Sequence, residues 1–287
     1  YLMELNFELL KTEALDDHIY RGQTVDIGAP QLYGGLVMGQ AVYAAAQTVP
    51  SDRMIHSMHA YFILPGDPYA PIIYQIDPIR EGKSFSTRRI VAIQHGKAIF
   101  NMSASFQIKE PGISHQLDHD PVKGPEGLLN LKQINSEAAE RTEGVLKERL
   151  KSWAQTKWPI EIRPIEAFDP LNPIKAPPKL GIWFRILEDI SSESLAFRQA
   201  SLACLSDYML LSTALIPHGI SWLKGVKHAA SLDHSMWFHE PFHGSSWMLY
   251  LMDSPKAGNS RGLTRGSIYD QSGRLITSLA QEGLIRT

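Results

Sequence analysis

Two stretches of this chain run through the same order of apolar and polar segments. Residues 36–48 form an apolar run rich in alanine, entered through the pair Gly34-Gly35. An apolar run with no polar face predicts a helix buried on all sides. Residues 57–62, Ser-Met-His-Ala-Tyr-Phe, read as a strand. Residues 87–93 and 98–107 have strand composition and flank a His95-Gly96 turn, with the glycine that tight hairpins favour. The order then returns. Ser206-Asp207 leads into an apolar run at 208–216, read as a second buried helix. A strand-like Ser231-Leu232-Asp233-His234-Ser235-Met236 and a Ser272-Gly273 turn come next, with matching strands at 247–252, 262–269 and 275–280. The offsets between copies are 172 residues at the helix start, 174 at the strand and 177 at the turn, a drift that short insertions produce. Two equivalent units imply a pseudo-symmetric pair packed like a dimer. The pattern in each unit, one buried helix followed by antiparallel strands, predicts an α+β fold with a sheet wrapped around a helix.

Between the copies the pattern changes. Residues 111–178 begin with an irregular polar segment and end among five prolines at 164, 170, 173, 177 and 178. Residues 130–153 are charged and helix-forming, which predicts a linker carrying a solvated surface helix. The expected divisions are an N-terminal unit at 1–110, this linker at 111–178, and a C-terminal unit at 179–287.

Composition narrows the functional classes. Hydrophobic residues make up 44% of 287, enough for a large core, and the formal net charge of −2 gives no reason to expect nucleic acid or an anionic membrane as partner. Cys204 is the single cysteine, so neither an intrachain disulfide nor a cysteine-rich metal site can form, and a reducing compartment fits. No apolar stretch is read as approaching the roughly 20 residues that span a bilayer. The opening residues show no basic-then-apolar signal, and the final Leu-Ile-Arg-Thr is not a Ser-Lys-Leu address. The expected location is cytoplasmic, or the peroxisomal matrix in a eukaryote.

The copies differ where chemistry could occur. Aligned by the repeat, Asp207 stands opposite Gly35, Ser231 opposite Ser57, and Gln281 opposite Ala104. The second copy thus holds a carboxylate, a hydroxyl and an amide. A carboxylate can take a proton from water while a hydroxyl and an amide hold that water. Backbone N–H groups at a helix start can receive the charge that develops on a carbonyl oxygen. Each residue also has a plainer reading: Asp207 as a first-turn charge beside a Ser206 cap, Ser231 as a strand hydroxyl, Gln281 as an exposed amide. His56 and His59, and His228, His234, His239 and His243, form a second cluster. They lack a His-Glu-x-x-His spacing, and strand alternation sends neighbours to opposite faces, so hydrogen bonding within the structure is expected and no metal or cofactor. Gly-Asn-Ser-Arg-Gly (258–262) is read as a loop at a ligand entrance and not as a nucleophile turn, and dinucleotide and phosphate-loop motifs are absent from the sequence. Lys83, Arg88, Arg89, Arg261 and Arg265 could meet a phosphorylated carrier or simply face solvent.

Several segments carry a family resemblance. Leu-Tyr-Gly-Gly-Leu-Val-Met-Gly-Gln-Ala (32–41), His-Ser-Met-His-Ala-Tyr-Phe (56–62), Ser-Asp-Tyr-Met-Leu-Leu (206–211), Ser-Leu-Asp-His-Ser-Met-Trp-Phe-His (231–239) and Ala-Gln-Glu-Gly (280–283) resemble the type II, TesB-like acyl-CoA thioesterases. The resemblance covers nearly the whole chain outside the linker. It implies a double hot-dog fold and hydrolysis of acyl-CoA to fatty acid and CoA, with Asp207, Ser231 and Gln281 at the family's catalytic positions. Bacterial members carry threonine where this chain has Ser231; the hydroxyl is kept and a methyl lost. Acyl-CoA as substrate, CoA as product, and a homodimer or homotetramer are implied. The fold alone also accommodates acyl-thioester hydratases, dehydratases and non-catalytic acyl-CoA binders.

Overall fold

The computed structural model describes residues 5–28, 31–244 and 246–287; the opening Tyr-Leu-Met-Glu lies outside them. In chain order its elements are β1 (Glu13–Asp16), β2 (Ile19–Gly22), α1 (Gly34–Ala46), β3 (Arg53–Phe62), β4 (Ile72–Glu81), β5 (Phe85–Gln94) and β6 (Lys97–Ile108). Next are α2 (Leu131–Ala139), α3 (Gly144–Gln155), β7 (Ile160–Pro164), β8 (Lys179–Ile186), α4 (Leu195–Ser206), β9 (His228–Ser231), β10 (Asp233–Phe238), β11 (Met248–Gly258), β12 (Arg261–Asp270) and β13 (Leu275–Arg286).

All the described strands belong to one sheet, ordered β1-β2-β4-β5-β6-β3-β10-β13-β12-β11-β8-β7, with β9 also on β13. The order reads the same from either end: β2, β4, β5, β6 and β3 mirror β8, β11, β12, β13 and β10. The mirror point is the antiparallel pairing of β3 with β10, where Met58 faces Met236. This is the double hot-dog arrangement, α+β with an antiparallel sheet around central helices.

The helices α1 and α4 lie back to back inside the sheet. α1 buries Leu36, Val37, Met38, Ala41, Val42, Ala44 and Ala45, as its unbroken apolar run requires. It packs on α4 through small residues. A Cβ on Gly35 would lie 2.2 Å from the Cys204 carbonyl, and one on Gly39 would lie 2.9 Å from that of Ala200. The two helices therefore run antiparallel, with the start of α1 at the end of α4.

Three expectations are corrected by this arrangement. The second helix spans Leu195–Ser206, not 208–216; Ser194 accepts from the Phe197 N–H and caps it. Residues 210–214 and 216–218 are short 3₁₀ turns, because Met209 adopts a left-handed φ of 64° and Pro217 interrupts the next turn. Together Leu195–His218 make a 24-residue run long and apolar enough to cross a bilayer by composition, contrary to the sequence reading; 67% of its most apolar window is buried inside this protein. The segment between the copies holds two helices and a strand. β7 pairs with β8 and closes one edge of the sheet, while Ala138, Ala139 and Leu150 of α2 and α3 form a small core of their own.

Candidate active site

Asp207 closes a helix; it does not open one. It is the C-cap of α4, where the last carbonyls have no partner within the helix. Two tyrosines supply partners: Tyr33 donates to the Cys204 carbonyl at 2.8 Å and Tyr250 to the Ser206 carbonyl at 2.8 Å. Burial pushes both phenols well above their ordinary pKa, with the nearby Asp207 charge adding to it, so both remain protonated donors. The turn carrying Asp207 is thereby clamped from both halves of the chain. Its carboxylate meets the opposite end of α1. No side chain caps α1, so its first N–H groups are free of such a partner, and a Cβ on Gly34 would lie 3.0 Å from Asp207 Oδ2. A carboxylate beside a helix N-terminus is in a favourable field.

Ser231 and Gln281 reach the same point through an irregularity in the sheet. β9 pairs with β13 with Ser231 opposite Gly283, whereas β10 pairs with Ser235 opposite Ala280. The register slips by one residue at Leu232, which is a β-bulge. The Glu282 N–H at the slip is satisfied by the Asp233 carboxylate at 2.7 Å. The bulge changes which way the strand points: Ser231 and His234, three apart, would face opposite sides of a regular strand. Here both bond to Gln281. Its Nε2 donates to Ser231 Oγ at 2.9 Å, and its Oε1 lies 2.6 Å from His234 Nδ1. Ser231 Oγ in turn donates to Asp207 Oδ1 at 3.2 Å, and His234 Nε2 lies 3.0 Å from Ser206 Oγ. His234 is wholly buried, and burial holds its pKa below the usual imidazole value, against an opposing pull from Asp207.

The sheet register corrects the pairing of the copies. Ile55 opposes Phe106 and Met58 opposes Ala104, with a bulge between Ile55 and Ser57. With the same geometry about 176–177 residues later, Ile55 corresponds to Ser231, Met58 to His234 and Ala104 to Gln281. The counterpart of Asp207 is Gln47, the C-cap of α1, and not Gly35. Ser57, aligned with Ser231 in the sequence, instead pairs with Trp237 across the junction. Ile55, Met58 and Ala104 are all buried and apolar. The first copy therefore keeps the bulge and none of the polar network.

Asp207, Ser231 and Gln281 line one cavity of about 1620 Å³, together with Tyr33 and Gly34. Its wall is mostly apolar, and much of it comes from the segment between the copies, including Trp153 and Trp158. Residues 130–153 are thus more than a solvated face. Trp158 stands edge-on to Tyr33 at 5.8 Å between centroids and tilted against Tyr208 at 5.0 Å. The arginines singled out in the sequence lie elsewhere. Arg88 is buried against Glu81 and Thr48, Arg89 pairs with Asp77, Arg261 with Glu282, and Arg265 with Asp253. Three further histidines bond to serines: His56 to Ser105, His59 to Ser235, His239 to Ser278. Among the described residues no His, Cys, Asp or Glu cluster is arranged to hold a metal. A carboxylate, a hydroxyl and an amide on one wall of an apolar cavity, beside uncapped backbone N–H groups, can hold and deprotonate a small nucleophile next to a bound carbonyl.

Comparison with known proteins converges on one family. Residues 23–107 match the family described as the acyl-CoA thioesterase N-terminal domain, and residues 150–284 match acyl-CoA thioesterase. The chain is 39% identical over 278 residues to acyl-CoA thioesterase 2 of Haemophilus influenzae, covering 97% of this chain and 96% of that one. It is 40% identical over 284 residues to acyl-coenzyme A thioesterase 8 of Homo sapiens, covering 97% and 88%. The crystal structure of the acyl-CoA thioesterase II TesB2 from Mycobacterium marinum superposes with a TM-score of 0.76 at 34% identity, covering 97% and 96%. With matches of this extent, the chain belongs to the acyl-CoA thioesterase family, thioester hydrolases of the double hot-dog fold.

Proposed function

We propose that Asp207, Ser231 and Gln281 activate the water that hydrolyses the acyl-CoA thioester. The observation that carries this reading is the unbroken contact from Gln281 through Ser231 to Asp207 on the cavity wall. Asp207 spends Oδ1 on Ser231 and leaves Oδ2 toward the start of α1. Asp207 accepts a proton from the water as its oxygen bonds to the thioester carbon. The carbonyl oxygen gains charge and is received by the first-turn N–H groups of α1, an arrangement worth about 10²–10³ in rate per donor in comparable sites. The C–S bond then breaks, the sulfur takes the proton from Asp207, and the products are a fatty acid and the CoA thiol. The acyl chain lies along the apolar wall that includes Trp158.

The division of labour follows the copies: residues 179–287 supply the polar groups, residues 1–110 supply the α1 start, and 111–178 cover the cavity. The exposed edge strand β1 supports self-association into a dimer or tetramer, which sedimentation measures. The central assignment is tested by thiol release from a series of acyl-CoA lengths. Asp207→Ala should fold and lose turnover by at least about 10²-fold; full activity in that variant overturns the assignment. Loss of conjugation in an enoyl-CoA, in place of free thiol, would mark a hydratase instead.

A further inference from the structure

We propose that His234 is a positioning residue that sets the direction of the hydrogen-bond chain ending on Asp207. The inference rests on the water-activating role assigned above to Asp207, Ser231 and Gln281. His234 and Ser206 do not line the cavity, so neither touches substrate. His234 reaches the site through Gln281.

The direction follows from counting protons. An ionised Asp207 only accepts, so the single hydroxyl proton of Ser231 goes to Oδ1. Ser231 Oγ can then only accept from Gln281, which must present its NH₂ end. That turns the Gln281 carbonyl toward His234 Nδ1, 2.6 Å away, and Nδ1 must carry a proton. Reversing the amide would set the Gln281 oxygen against the lone pairs of Ser231. The Nδ1–H of His234 opposes the same reversal from the other side, because it would then face the amide NH₂. The one hydroxyl proton of Ser206 goes to the Ala203 carbonyl at 2.7 Å, so Ser206 has none to give Nε2, 3.0 Å away, and does not set the tautomer. His234 Nδ1–H thus holds the Gln281 carbonyl, and the amide so held keeps the Ser231 hydroxyl directed toward the carboxylate.

A second, independent observation concerns the first copy. Its sheet has the same register and the same bulge, yet Met58 stands where His234 stands and Ala104 where Gln281 stands. The histidine and the glutamine are both present in one copy and both apolar in the other. A histidine serving only to fill the core would have no reason to accompany the amide.

The test is a double-mutant cycle on kcat and KM for thiol release from a medium-chain acyl-CoA. Outer partners that orient catalytic ligands contribute about 10–100-fold at metal sites, and a loss of that order is expected for His234→Leu, in kcat and not in KM. His234→Asn, which keeps an N–H donor near the Nδ1 position, should recover most of it. The double variant His234→Leu/Gln281→Ala should be no slower than Gln281→Ala alone, because the histidine acts only through the amide. If Gln281→Ala is impaired while His234→Leu is within about twofold of the parent, or if the two losses multiply, the positioning role is overturned and the water-activating trio stands. If Gln281→Ala is itself fully active, the underlying reading falls first. Should His234→Leu fail to fold, His234→Met, the residue at the matching position of the first copy, takes its place in the same cycle, with the same non-additivity expected and multiplicative losses overturning the role.

Discussion

Gly34 and Asp207 face each other across the meeting point of the two central helices, with a would-be methyl on Gly34 only 3.0 Å from the carboxylate Oδ2 and 2.8 Å from the Phe62 ring. There is no room for a side chain between the start of α1 and the carboxylate at the end of α4. Gly34→Ala should therefore displace the carboxylate, the ring or the first turn of the helix. We expect kcat to fall by at least about tenfold and stability by about 1–3 kcal/mol, the usual cost of overpacking. Steady-state kinetics with a thermal melt checks both; a fully active variant would show that the two elements need not touch.

The hydroxyl at position 231 needs an oxygen and a proton, and little else. Ser231→Thr should keep kcat within about threefold, since it retains the donor to Asp207 and adds only a methyl. Ser231→Ala leaves Gln281 without an acceptor and Asp207 without a donor, and should lose about 10–100-fold, as expected for removing a group that holds the general-base water. Equal rates for the alanine and threonine variants would remove the hydroxyl from the mechanism.

Trp158 contributes apolar surface to the cavity wall from outside the two repeated units. If the acyl chain buries about 40 Å² against it, at ~25 cal/mol/Å² this is about 1 kcal/mol, or about fivefold in affinity. Trp158→Ala should raise KM by about that factor for dodecanoyl-CoA and leave acetyl-CoA within about twofold. A KM series over chain length measures it, and a uniform change across the series would place the chain elsewhere.

Stability should decline in mild acid. Burial lowers the pKa of His56, His234 and His239 below their ordinary value of 6.5. The unfolded chain then binds protons that the folded chain refuses, so stability rises with pH across this window. The contribution is fully present above about pH 6.5 and is lost as pH falls through the lowered folded values. Calorimetry should give a lower Tm at pH 5.5 than at pH 7.5, with a smaller difference in His234→Asn. A flat profile would contradict it.

The repeat, the apolar helix α1, the hairpins and the three polar residues of the second copy were legible in the sequence because each rests on local pattern or on a quoted motif. The position of Asp207 was not. Residues 208–216 are as apolar as a buried helix, and only the left-handed Met209 shows that the helix has already ended. The Ser194 cap upstream was the available signal. Placing the helix late made Gly35 the counterpart of Asp207, when it is instead a neighbour across the helix pair. The partnership of Ser231, His234 and Gln281 was hidden for a different reason. Strand alternation puts positions three apart on opposite faces, and the one-residue slip at Leu232 that cancels this rule comes from long-range pairing with β13. The segment at 111–178 looked like a linker because its apolar residues are sparse, yet several of them, Trp153 and Trp158 among them, line the cavity, while Ala138, Ala139 and Leu150 build a core of their own.

The seam where β3 lies against β10 makes the later copy dependent on the earlier one. Cut there, residues 179–287 would retain Asp207, Ser231, His234 and Gln281, but lose the Tyr33 clamp and expose a bare strand edge and the face of α4 that Gly35 and Gly39 now cover. The first copy, buried and apolar at Ile55, Met58 and Ala104, lends the start of α1 as the opposing wall of the cavity beside Asp207.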